Sequence, residues 1–169
     1  MPLNAAEIEI LRTNINKIPV KTAGDRRPST TGLGRVSRDA IDLFFSEYGE
    51  GTSNNKYLEI YNGTGADVDL GNYLIMQINN GGNWYENIDT LSGTLNDGDV
   101  YVIANTSADP SILSEADLME SAIANFNGDD ARCLIKVLNG DTTILDYIGS
   151  TPNDPGSGCL LYTSPSPRD

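Results

Sequence analysis

From residue 40 onwards the sequence predicts an all-β sandwich or barrel. Short runs of alternating apolar and polar residues recur there, the period expected of half-buried strands. Between them lie NGTG, NNGGN, NDGD, NGDD and NGD, clusters that tolerate positive φ and close tight turns. The 169 residues are 38% hydrophobic and 21% charged, enough for one ordinary domain with its own core and some tail to spare.

The elements follow in order. Residues 5–18 carry Ile8, Leu11 and Ile15 at helical spacing, predicting one short amphipathic helix that Pro19 ends. Residues 19–39, PVKTAGDRRPSTTGLGRVSRD, are rich in Gly, Pro, Ser, Thr and Arg and lack periodicity. Residues 1–41 therefore read as an N-terminal segment and linker. LFFSEY (43–48) is the first strand, and YLEIYN (57–62) sets Leu58 and Ile60 against Tyr57, Glu59 and Tyr61. YLIMQI (73–78) places Leu74, Met76 and Ile78 on one face, and DVYVIAN (99–105) groups Val100, Val102 and Ala104. ARCLIKVL (131–138) aligns Ala131, Cys133, Ile135 and Val137, and TTILDYIG (142–149) is a sixth run. DPSILSEADLME (109–120) breaks the rule and predicts a short helix after a turn at Asp109-Pro110. The last stretch, CLLYTSPSPRD (159–169), has no periodicity and resembles translated adapter sequence. It reads as a non-native tail, which makes the chain truncated and leaves Cys159 without a functional role.

Charge narrows the function. There are 24 acidic against 11 basic residues, a net charge of −13. The imbalance is segregated: residues 1–42 are net +2 and residues 43–158 net −15. So negative a surface repels phosphate backbones, which argues against nucleic-acid binding by bulk charge and makes cations or a basic partner the natural ligands. The chain has no histidine, which excludes His general bases, Ser-His-Asp and Cys-His relays and His-bearing zinc sites. Two cysteines exclude a disulfide scaffold. No apolar run approaches ~18 residues, so membrane insertion by a helix is not expected. The opening MPLNAAEIEILRTNINKIPV lacks the regions of a signal peptide. That leaves a cytoplasmic protein or an internal piece of a longer secreted chain.

Four segments together are similar to the lamin tail domain family in its bacterial secreted form. They are LFFSEYGEGTSNNKYLEIYNGTGADVDLGNY (43–73), LSGTLNDGDVYVIANTSADPSIL (91–113), NFNGDDARCLIK (125–136) and ILDYIGSTPNDPGSG (144–158). The resemblance implies an immunoglobulin-like β-sandwich over 42–158. It also implies a non-catalytic accessory module of a larger secreted or cell-surface protein, often beside nucleases, phosphatases or other hydrolases. In nuclear lamins the related domain is an interaction module. Two departures stand out: Cys159 occupies a position where family members often have Trp, and residues 1–41 match nothing in the family.

The candidate sites each have a structural alternative. Asp97 and Asp99 in one loop and Asp129 and Asp130 in another bring carboxylates together, as calcium requires. Turn chemistry explains the same residues unaided, and is preferred. Glu47, Glu50, Asn54 and Asn55, with Lys56 and Glu59, bracket the first inter-strand loop. They could hold a cation or basic partner at the sandwich end; the preferred reading is structural, with the asparagines setting the turn and Lys56 free to pair with Glu47 or Glu59. Trp84 and Tyr85 beside a Gly-rich turn could stack on a sugar or anchor a protein, or simply pack. With 24 acids, some pair will meet glycosidase spacing by chance, and no apolar pocket marks one out, so no catalytic residue is assigned. Asp146, mid-strand, must be hydrogen-bonded if buried. Asn62-Gly63-Thr64 and Asn105-Thr106-Ser107 match the glycosylation sequon. The expectation is a binding or spacer module with no cofactor beyond calcium, meeting a protein or polysaccharide partner through loops at a sandwich end, alongside other domains of its parent chain. Two alternatives remain: an accessory domain of a secreted nuclease or other hydrolase, and a calcium-stabilised structural module.

Overall fold

The computed structural model describes residues 40–80, 87–128 and 130–149. The helix expected at 5–18, the linker 19–39, Trp84, Tyr85, Asp129 and the tail 159–169 lie outside the described residues.

All six expected runs are strands, and four shorter ones join them. In chain order they are β1 (Phe44–Glu50), β2 (Lys56–Tyr61), β3 (Val68–Asp69), β4 (Tyr73–Ile78), β5 (Asn87–Thr90), β6 (Thr94–Leu95), β7 (Val100–Ala104), β8 (Leu118–Met119), β9 (Ala131–Leu138) and β10 (Asp141–Ile148). One sheet has the order β1-β2-β7-β8 and the other β10-β9-β4-β5, with β3 and β6 forming a small ribbon. Pairing is antiparallel except between β7 and β8. The β9–β10 hairpin closes on Asn139-Gly140, both at positive φ, as a tight two-residue turn demands.

The helix expected over 109–120 shrinks to one turn, α1 (Pro110–Leu113). Asp109 caps it, accepting from the Ser111 backbone N–H at 3.0 Å. Asp117 then draws the chain back to the sheet: its carboxylate accepts from Val102 N–H and its own N–H donates to Val102 O. Leu118–Met119 can therefore pair with β7 instead of continuing the helix.

The core lies between the two sheets. Leu58 and Ile60 of β2 and Ile103 of β7 face Tyr73 and Ile75 of β4 and Leu134 of β9, with Leu43, Leu70, Leu91, Leu95, Ile123 and Phe126 filling the ends. The apolar alternation read in β2 is the core face. In β7 and β9 the core face is the other one: Ile103 and Leu134 point inward, whereas Cys133 and Ile135 form a second buried cluster with Leu74 and Met76. Strand β4 is buried along its whole length.

Four polar devices hold the layers. Asn62, after β2, donates to Ala66 O and Leu95 O and accepts from the Thr64 backbone and hydroxyl. Asn105, after β7, donates to Ala124 O and accepts from Ser107 N–H. Because β2 and β7 are antiparallel, these two buried amides lock opposite ends of one sheet. Both sequon asparagines are thus committed inside the fold. Asp146 receives the Phe45 N–H at 3.1 Å, joining edge strands β10 and β1 where each carries a bulge. Finally, Asp42 accepts from Lys136 Nζ and Tyr73 OH, each at 2.7 Å, and from Leu43 N–H.

Burial pushes the Asp42 carboxyl up, but hydrogen bonds from Lys136, Tyr73 and Leu43 outweigh it and hold the group below its ordinary value of 3.8. Lys136 is held above its ordinary 10.5, mainly by its bond to Asp42. A depressed carboxyl stabilises the fold above its unfolded value and loses that contribution as pH falls through the folded one. Asp42→Asn is therefore expected to cost roughly 1–3 kcal/mol at neutral pH. Thermal unfolding across pH should show the wild-type advantage shrinking below pH 3.8, and again at alkaline pH as Lys136 deprotonates.

Candidate functional site

A groove with a volume of about 500 Å³ lies on the outer face of the β1-β2-β7 sheet. Glu47 of β1, Tyr57 and Glu59 of β2, and Val100 and Val102 of β7 form its floor. Asp99, Ser111, Ile112, Glu115 and Asp117 close it on the side of α1. Among the described residues that line it, five of ten are acidic and none is basic.

Strand alternation makes this chemistry. The residues of β2 between Leu58 and Ile60 face out, which puts Tyr57 and Glu59 in the groove. Register sets Glu47 directly opposite Glu59. Like charges facing each other across a ladder are unfavourable without a counter-charge. Neighbouring hydroxyls ease this in part: Ser46 Oγ donates to Glu59 Oε1 at 2.6 Å and Tyr57 OH to Glu47 Oε2 at 2.8 Å. That bond to Glu47 is the main reason the Tyr57 hydroxyl titrates above its usual range. Gly49 lies opposite Tyr57, and a Cβ there would sit 2.1 Å from the ring. The absent side chain is what lets the ring lie flat over the strand and reach Glu47.

The other residues of the first loop serve the scaffold. Glu50 pairs with Lys56 at 3.5 Å and accepts from Tyr48 OH. Lys56 does not pair with Glu47 or Glu59 as the sequence reading allowed; it lies 6% exposed, 5.6 Å above the Phe126 ring, and reaches only toward Glu50. The Asn54 carbonyl accepts from Lys56 N–H. Asn55 Oδ1 accepts from Asp109 N–H at 2.7 Å, tying this loop to the cap of α1 and so to the groove wall.

The aspartates considered for calcium are spread over separate loops. Asp97 accepts from Gly65 N–H, while its own N–H donates to Asp67. Asp99 accepts from Val100 N–H and lines the groove. Asp130, 4% exposed, accepts from Asn80 and Asn127 N–H groups. Among the described residues no group of three or more carboxylates or thiols is placed to hold a metal ion. Asp146 bonds to backbone, at Phe45 and Tyr147. Sequence reasoning found Glu47, Glu59 and Asp99 but assigned them to different places. It missed Tyr57, Glu115 and Asp117 as site residues, because only the fold-back of β8 along β7 brings the 110s beside β2.

A family model described as Lamin Tail Domain matches residues 37–151, which takes in both sheets and the groove. No match is found among the curated proteins.

Replacing Asn55 by Ala removes the only side-chain bond described between the first loop and the α1 cap. The expected cost is about 1 kcal/mol, with faster backbone hydrogen exchange confined to residues 51–56 and 108–114. Urea unfolding and exchange mass spectrometry read the two effects.

Proposed function

The chain belongs to the lamin tail domain family, and from that premise we propose that it is a non-catalytic binding module whose acidic groove receives a basic segment of a partner protein. One observation carries the reading. Residues 43–158 contain three cations, Lys56, Arg132 and Lys136, and all three are withdrawn from the groove. Lys56 pairs with Glu50, Lys136 with Asp42, and Arg132 lies in the interior. Glu47, Glu59, Asp99, Glu115 and Asp117 are left to share one concave face. A lysine or arginine side chain entering it meets carboxylates on two sides, an apolar floor at Val100 and Val102 for its methylene stem, and the Tyr57 ring. This shifts the binding surface from the sandwich-end loops to a sheet face. The setting in this reading is a larger secreted or cell-surface protein, as the family resemblance implies.

The test is titration of a fluorescent Lys/Arg-rich octapeptide into the protein, against a Glu/Asp-rich control. Saturable binding of the basic peptide is expected, weakening roughly tenfold as ionic strength rises from about 0.05 to about 0.5 M. Glu47→Gln with Glu59→Gln should weaken it further without lowering the melting temperature, since the pair repels itself in the free protein. Absence of basic-peptide binding at millimolar concentration rejects the reading. Occupation of the same residues by calcium alone replaces it with the calcium-stabilised alternative.

A further inference from the structure

The acidic groove has an aromatic border. The outward residues of β2 follow one another as Tyr57, Glu59 and Tyr61, because Leu58 and Ile60 between them face the core. Register extends each into a row across the sheet. Glu47, Glu59 and Val102 form the acidic row, and Phe44, Tyr61 and Val100 form the row beside it. Val100 also lines the groove, so the two rows share one surface. A bulge sets this up. It lies between Phe45 and Glu47, so Phe44 and Glu47 share the outer face although they are three residues apart, while Phe45 packs against the core. The Phe44 ring is exposed and meets Tyr61 edge-on at 5.6 Å. Ile41, wholly exposed, arrives at the same end, since Ala40 N–H donates to Gly63 O, two residues past Tyr61. The other exposed large apolar residues described, Met119, Leu138 and Tyr147, are scattered over β8, β9 and β10. Apolar side chains gathered in the open beside a charged groove mark an interaction surface.

Resting on the basic-segment reading above, we propose that the two rows are read together, by an extended partner segment that carries an aromatic or large apolar side chain two residues from its lysine or arginine. Adjacent rows on one face of a strand lie about 6.6 Å apart, two residues at roughly 3.3 Å each. An extended peptide aligned with the strands repeats its same-side side chains at that step. A side chain seated on Phe44, Tyr61 and Val100 therefore places the second residue along it between Glu47 and Glu59. The residue between the two points away from the sheet and is left unconstrained. Chemistry sorts the seats. Glu47 and Glu59 oppose each other across the ladder, and a cation between them relieves their repulsion. The edge-to-face pair of Phe44 and Tyr61 offers ring surface to a third apolar group, the kind of contact that anchors interfaces. A partner with charge alone fills only half of this surface.

Two labelled octapeptides of identical composition and charge, titrated into the full chain, decide the point. In RSWSRSRS the tryptophan lies two residues from an arginine and on the same side of an extended chain; in RWSSRSRS it lies on the opposite side. The first should bind the wild type at least ~5-fold tighter than the second. Phe44→Ser should reduce the first to the level of the second and leave the second unchanged, with the melting temperature retained because Phe44 is exposed. If that variant does not fold, the wild-type comparison stands alone. Equal affinity of the two peptides overturns the proposal and leaves the basic-segment reading standing, as does an advantage that survives intact in a folded Phe44→Ser variant. Failure of both peptides together with the Lys/Arg-rich octapeptide rejects that reading and the proposal with it. Binding of an acidic peptide, ESWSESES, as tightly as RSWSRSRS makes the aromatic row an apolar site of its own and also overturns the proposal.

Discussion

Arg132 carries a guanidinium that no water reaches, and its donors meet the backbone carbonyls of Ile123, Asn125, Ala131 and, at 3.5 Å, Ile78. An interior charge is tolerated only when its hydrogen-bonding capacity is met. Two of these carbonyls, those of Ile123 and Asn125, belong to the segment that joins β8 to β9, so meeting that demand helps fix the path of the segment. Phe126 is thereby set into the core end, stacked on Tyr48 at 4.3 Å and flanked by Arg132 at 5.2 Å. Lys56 covers the same ring from the first loop. One interior cation thus organises the loop before β9, the start of β2 and the end of β1.

That arrangement also decides the surface. Two of the three cations in residues 43–158 are spent on one aromatic ring, and the third holds the entry of the chain through Asp42 and Tyr73. Among the described residues, the carboxylates on the groove face have no partner of opposite charge there. Interior order and exterior acidity are therefore two sides of one allocation. The edges follow a similar logic, since β1 and β10 are stitched by Asp146 instead of offering open ladders to another chain.

Much of this was legible in the sequence. Strand positions were, because period-2 patterning and Asn/Gly turns are local signals: YLIMQI and ARCLIKVL match β4 and β9 residue for residue. The short strands β3, β5, β6 and β8 were not, since two to four residues carry no period and their pairing is set by distant partners. Alternation alone could not say which face of β7 or β9 is the core, because both faces of β9 carry apolar residues. The helix over 109–120 was over-read, since Asp117 trades helical bonds for a tertiary bond to Val102 that no local pattern reveals. For the site, Glu47 and Glu59 were visible as a motif but their opposition across the ladder is a matter of register, and the Asn55 link to Asp109 spans 54 residues. Arg132 gave no signal, since a single Arg in an apolar run reads as an exposed position.

The measurement that tests this account most directly is equilibrium urea unfolding of Arg132→Lys, with hydrogen exchange followed over residues 120–128. A lysine keeps the charge but lacks the planar fork that reaches several carbonyls at once. The account predicts a loss of about 3 kcal/mol or more, with protection collapsing across that segment. Stability within about 0.5 kcal/mol of the wild type, with the segment still protected, would contradict it.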